Sequence, residues 1–171
     1  KTGKPLVFLG DSITHQSLSG EFVKMVRDKV GVDVVNCGQN SISTDTILNE
    51  RVDWVLACDP AFVSVMIGTN DIKGIYNPEW GEGTIESFNI QEGEISFSIF
   101  RRNMNSIVSR LVKHSTAAVA IHTLPPMGED LNCDANEHIT KANSILKEVV
   151  DRADTPRVTL IDSYSKLVAH I

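Results

Sequence analysis

Five short apolar runs, each followed by residues at helical spacing, limit what this chain can fold into more than any other feature. The runs are Leu6–Leu9, Val32–Asn36, Ala61–Ile67, Ala118–Ile121 and Val158–Ile161. Ala61–Ile67 is apolar almost throughout, as a strand covered on both faces must be. Between the runs, apolar residues recur every three or four positions. Phe22, Val23, Met25, Val26 and Val30 mark a helix over 21–30 that Gly31 ends. Ile47, Leu48, Val52 and Val55 mark a second, capped by Ser43 or Thr44 and closed by Pro60. Ile107, Val108, Leu111 and Val112 give the stripe of a helix over 101–114. Ile139, Ala142, Ile145, Leu146 and Val149 give that of 135–152, and 163–171 begins a last helical stretch. Strand and helix alternating in this order predict a parallel sheet with helices on both faces. The segment 75–99 breaks the rhythm with Pro78, Trp80, Gly81, Gly83 and Gly93. It reads as an insertion, either a lid or binding loop or a surface hairpin, with strand-like alternation over 94–99.

A chain of 171 residues is expected to form one domain, 1–171, with a sizeable core. Its net charge of -6, with no basic run, argues against a nucleic-acid surface. The apolar runs fall far short of the ~18 residues that span a bilayer, so no transmembrane segment is expected. Cys37, Cys58 and Cys133 are too few and too scattered for a disulfide framework, and no Cys-x-x-Cys suggests a metal. No metal or other cofactor is expected. The chain opens on Lys1 with no signal-peptide pattern, which slightly favours a cytoplasmic protein. Nothing in the pattern specifies an oligomer.

Chemistry concentrates where the strands empty into loops. Gly10-Asp11-Ser12-Ile13-Thr14 follows the first run, Asn36-Cys37-Gly38-Gln39-Asn40 the second, and Gly68-Thr69-Asn70-Asp71 the third. Ligands of doubly wound sheets bind beyond the carboxyl ends of the strands, at a switch point. With strand order 2-1-3-4-5 these three loops are neighbours. Ser12 then offers a hydroxyl to attack a carbonyl. The Ser12 N–H, the Gly38 N–H and the Asn70 side-chain amide offer donors to the resulting oxyanion, each worth roughly 3 kcal/mol of barrier. Gly38 suits a place where backbone must approach substrate, and Asp11 and Asp71 order their loops. A receiver or nucleotide-binding domain is disfavoured, since no acidic cluster follows strand one and no phosphate-cradling glycine loop is present.

These blocks resemble the GDSL/SGNH hydrolases, a family of serine esterases and lipases. Gly10-Asp11-Ser12-Ile13 matches the first block, the glycine of Asn36-Cys37-Gly38 the second, and Gly68-Thr69-Asn70-Asp71 the third; Leu124-Pro125-Pro126 and Asn143 add to the likeness. The resemblance covers essentially the whole chain. It implies a flavodoxin-like three-layer α/β/α fold and metal-free hydrolysis of a small-molecule ester through an acyl-enzyme on Ser12. The family's fourth block, Asp-x-x-His, supplies the base and its orienting carboxylate, and it is absent from the 171 residues. His15, His114, His122, His138 and His170 are all misplaced for it. The expectation is that the catalytic loop and last helix lie beyond Ile171, and that the catalytic histidine and its aspartate are not identifiable here. Short acyl esters of sugars, lysophospholipids and thioesters all fit the family, and the absence of a long apolar lid favours acetyl esters of carbohydrates. The alternative is a ligand-binding module that kept the pocket and lost the base.

Overall fold

Five parallel strands form one sheet in the order β2-β1-β3-β4-β5: β1 (Leu6–Gly10), β2 (Val34–Gly38), β3 (Phe62–Met66), β4 (Ala118–His122) and β5 (Val158–Ile161). The structure is a computed structural model, and it describes residues 3–17, 19–77, 79–80 and 96–170. Between the strands run helices α1 (Ser12–His15), α2 (Phe22–Lys29), α3 (Thr44–Thr46), α4 (Val52–Ala57), α5 (Thr69–Tyr76), α6 (Phe97–His114) and α7 (Asp134–Arg152), and α8 (Ser163–Val168) follows β5. A five-residue π turn, Ile47–Arg51, joins α3 to α4. The expected fold class and strand order hold.

Register explains the core. Val7, Val63 and Val119 stand side by side across β1, β3 and β4, and Leu9, Val65 and Ile121 form the next row. All six are buried. Helices α6 and α7 cover this face with Phe100, Met104, Ile107 and Leu111 from one and Ile139, Ala142, Leu146 and Val149 from the other. On the opposite face α2 lies against β2, and Phe22 meets Phe8 edge-on at 6.1 Å. Phe62, Ser64, Met66, Ala120, His122 and Ile161 continue that face beside a cavity of about 340 Å³.

Several expectations need correction. β2 begins at Val34 and runs to Gly38, so the block-two glycine ends a strand rather than following one. Ser43 is the N-cap of α3, yet its side chain makes no capping bond. The long helix ahead of β4 starts at Phe97, four residues earlier than expected. Ser96 caps it by accepting from the Ile99 N–H. Phe97–Ile99 are therefore helical and not part of a hairpin. Of the 75–99 segment, Ile75 and Tyr76 close α5, and residues 78 and 81–95 lie outside the described residues. Among the described residues, no helix is long and apolar enough to cross a membrane.

Candidate active site

Because β1 lies between β2 and β3, the loops that follow these three strands share one corner of the molecule. Asp11 caps α1, its Oδ1 accepting from the Ile13 N–H at 3.0 Å. Such a cap satisfies one of the otherwise orphaned N–H groups of the first turn and fixes the backbone there. Ser12 is the first helical residue and is half-buried.

Helix α1 lies directly on two glycines that face each other in register, Gly10 and Gly38. A Cβ on Gly38 would stand 2.3 Å from His15 N and 2.6 Å from Thr14 C, and one on Gly10 would stand 2.2 Å from the Met66 carbonyl oxygen. Gly38 is thus required by helix packing, a reason different from room for substrate. Its N–H is also engaged, donating to Asn36 Oδ1 at 2.8 Å, while Asn36 Nδ2 donates to the Thr14 carbonyl at 2.9 Å. Beyond Gly38 the chain turns through Ser41 at φ 60°, a left-handed backbone that residues with side chains seldom adopt and that gathers at functional sites.

The third block opens helix α5. Gly68 holds φ 129° at its N-cap, and a Cβ there would press to 2.6 Å from the Phe100 ring. Asn70, in the first turn, donates from Nδ2 to the Ile42 carbonyl at 2.7 Å. An amide nitrogen carries two hydrogens, so a second donation is open to a ligand. Asp71 accepts from the Thr44 N–H at 3.0 Å and from the Thr44 hydroxyl. Burial pushes the Asp71 carboxyl up to about 6 against these bonds, and the nearby Asp11 charge adds to the rise. Burial likewise pushes Asp11 up to about 6, opposed by the Ile13 N–H and the Thr69 hydroxyl. The structure therefore brings Asp11, Ser12, Gly38, Asn70 and Asp71 into one linked set of loops.

Three of the five histidines are engaged with other partners. His122 Nε2 bonds Ser64 Oγ at 3.0 Å and its Nδ1 bonds Ser163 Oγ at 2.9 Å. Burial, then the Lys166 charge, lowers its pKa. His138 stacks on Phe97 and its Nδ1 meets the Asp134 carbonyl oxygen. His170 Nδ1 meets the Lys166 carbonyl oxygen, and His15 and His114 are exposed. Among the described residues, no three His, Cys, Asp or Glu side chains gather as a metal would need.

Three residues that matter here were not singled out for a role in the site. Asn36 sits inside a strand, where asparagine is rare. Asn103 sits on the apolar stripe of α6. Asn143 on α7 accepts from the Leu124 N–H at 2.7 Å and donates to the Leu124 carbonyl at 3.1 Å, fixing the turn into Pro125-Pro126. A polar residue at a position whose pattern asks for an apolar one was the available signal.

The sequence profile of the GDSL-like Lipase/Acylhydrolase family matches residues 8–170. The chain belongs to that family. Membership makes it an ester-bond hydrolase by class. Comparison with curated proteins gives no match. Among solved structures, an acetylxylan esterase from Geobacillus stearothermophilus is similar with a TM-score of 0.78 at 16% identity, over 99% of this chain and 80% of that one. A catalytic mutant of the same esterase, with a serine replaced by alanine, gives 0.79 at 16% over the same shares. Further catalytic mutants of it replace a histidine and an aspartate. An alpha/beta hydrolase enzyme from the metagenome of Lake Arreo, Spain, gives 0.78 at 14% identity, over 99% of this chain and 81% of that one. At these identities the likeness speaks for the fold alone.

Proposed function

We propose that this GDSL-family chain is a serine esterase acting through an acyl-enzyme on Ser12, with acetyl esters of carbohydrates as its substrate class. One observation carries the reading: a half-buried serine at a capped helix start shares its corner with an asparagine amide locked onto the Ile42 carbonyl. Ser12 Oγ forms a bond to the ester carbon as its proton passes to an imidazole. The carbonyl electrons move onto oxygen, where the Ser12 N–H and the Asn70 amide donate. The Gly38 N–H joins them where Asn36 releases it. The electrons then return, the bond to the alcohol breaks, and the imidazolium proton leaves with the alkoxide. Water repeats the sequence and frees the acid.

Asp11 and Asp71 hold the two loops and take no proton in this scheme. The imidazole comes from an Asp-x-x-His segment outside residues 1–171. The solved acetylxylan esterase supports this division of labour, since its catalytic mutants replace a serine, an aspartate and a histidine. The same neighbour supports the acetyl-carbohydrate substrate.

The test is intact-mass spectrometry after a fluorophosphonate is added to natural protein that carries the downstream sequence. A single adduct on Ser12, absent from Ser12→Ala, is the expected result. No adduct on the wild type sinks the proposal and points to a pocket that binds without reacting.

A further inference from the structure

Asn103 is fully buried on α6, on a stripe otherwise made of Phe100, Met104, Ile107 and Leu111. A polar side chain at such a place costs stability unless it is hydrogen-bonded. Asn103 is: its Nδ2 donates to Thr44 Oγ1 at 3.2 Å, and its Oδ1 accepts from Arg102 Nε at 3.3 Å. Thr44 is itself fully buried. Its hydroxyl has one proton to give and two lone pairs to fill. With Asn103 donating to the oxygen, that proton goes to Asp71 Oδ1, beside the Thr44 N–H on Oδ2.

Asp71 directly follows Asn70, and Ile42 lies two residues before Thr44. The same two segments are therefore stitched twice, by Thr44 onto Asp71 and by Asn70 onto Ile42. The first stitch sets the spacing at which the second can form. We propose that Asn103 is a positioning residue for the Asn70 amide: by donating to Thr44 Oγ1 it commits the threonine proton to Asp71, and the clasped pair holds Asn70 at the oxyanion. This rests on Ser12 and Asn70 forming the reactive site. Asn103 touches no substrate; it acts through two hydrogen bonds, onto Thr44 and from Thr44 onto Asp71, the chain neighbour of Asn70.

The test is steady-state hydrolysis of a chromogenic acetate ester by the natural protein with its downstream sequence, beside phosphonate labelling of Ser12. Asn103→Asp puts an acceptor where a donor stood, which draws the Thr44 proton off Asp71. The expected result is kcat at least tenfold lower with KM within about twofold. Asn103→Leu removes the donor without adding an acceptor, so the Thr44 proton is no longer committed to Asp71, and kcat should fall at least about threefold, less than in Asn103→Asp, with KM within about twofold. Thr44→Val should match Asn103→Asp, and Thr44→Ser should keep most of the activity; this pair carries the test if Asn103→Asp does not fold. An Asn103→Leu whose kcat stays within about threefold of wild type overturns the proposal, as does a Thr44→Ser no better than Thr44→Val. A wild type that labels and hydrolyses beside an unchanged variant series overturns this proposal alone. A wild type that never labels at Ser12 overturns the esterase reading and this one with it.

Discussion

Gly38→Ala puts one methyl group under the helix that carries Ser12. The new Cβ would sit 2.3 Å from His15 N and 2.8 Å from His15 Cα, where ordinary contact begins at 3.4 Å. Relief of that overlap needs a movement of about 1 Å. Neither obstacle is the free end of a side chain; both are the backbone of α1, pinned by the Asp11 cap and by the Asn36 bond to the Thr14 carbonyl. Overpacking of this kind costs roughly 1–3 kcal/mol. At about 2–4 °C per kcal/mol for a chain of this size, the melting temperature should drop by roughly 2–12 °C. The larger effect falls on the site. A serine displaced by about 1 Å loses roughly a hundredfold in reactivity. Thermal melts followed by circular dichroism and the second-order rate of phosphonate labelling at Ser12 read the two effects separately. Gly20→Ala is the control, since a Cβ there meets nothing within 4 Å. Gly38→Ala labelling within threefold of wild type and melting within about 1 °C of it would refute the claim that α1 rests on this glycine.

Three other expectations concern stability. The folded Asp11 carboxyl keeps its proton up to about 6, whereas the ordinary group releases it near 3.8, so across pH 4–6 the folded state binds more protons and stability falls as pH rises. The whole burial penalty, roughly 3 kcal/mol, is present above pH 6. Asp11→Asn keeps a capping side chain, and urea melts at pH 4, 5, 6 and 7 should show about half the wild-type slope, because Asp71 contributes with the same sign. Asn143→Leu strips both partners from the backbone of buried Leu124 and should lower the denaturant-derived stability by roughly 2–4 kcal/mol. Arg157 donates to the carbonyls of Val112, Ser115 and Ala117, tying the end of α6 to the start of β4. Lysine cannot span three carbonyls, so Arg157→Lys should cost roughly 1–2 kcal/mol, unchanged between low and high salt because, among the described residues, Arg157 pairs with no carboxylate.

What could be read from the sequence is what local pattern encodes. Ala61–Ile67 announced a strand covered on both faces, and the five runs with their helices announced a parallel sheet; the order that makes the three loops meet was supposed rather than read from the runs, since strand pairing leaves no local pattern. α5 stayed hidden because Thr69, Asn70 and Asp71 open it with polar residues that read as a turn. Over 97–99 the expected alternation misled, because Ser96 at the N-cap starts a helix there. In the site, the block residues were legible, but what holds them was not. Thr44 reaches Asp71 across 27 positions and Asn103 reaches Thr44 across 59, and bonds between residues so far apart leave no local period. At Gly38 the packing reason was not legible, since close backbone approach to a helix and close approach to a ligand ask for the same residue.

The π turn between α3 and α4 bears on how relatives of this chain should be compared. A π turn holds one more residue than an α turn while its flanks keep their facing. Ile47, its first residue, and Val52, just after it, are both fully buried, whereas Asn49 and Glu50 within it are exposed. Deleting either exposed residue turns the stretch into plain α-helix with both flanking side chains still on the core. Length variation by one residue is thus neutral at this point, and alignments of the family should admit a single gap inside a helix, where gaps are ordinarily penalised most.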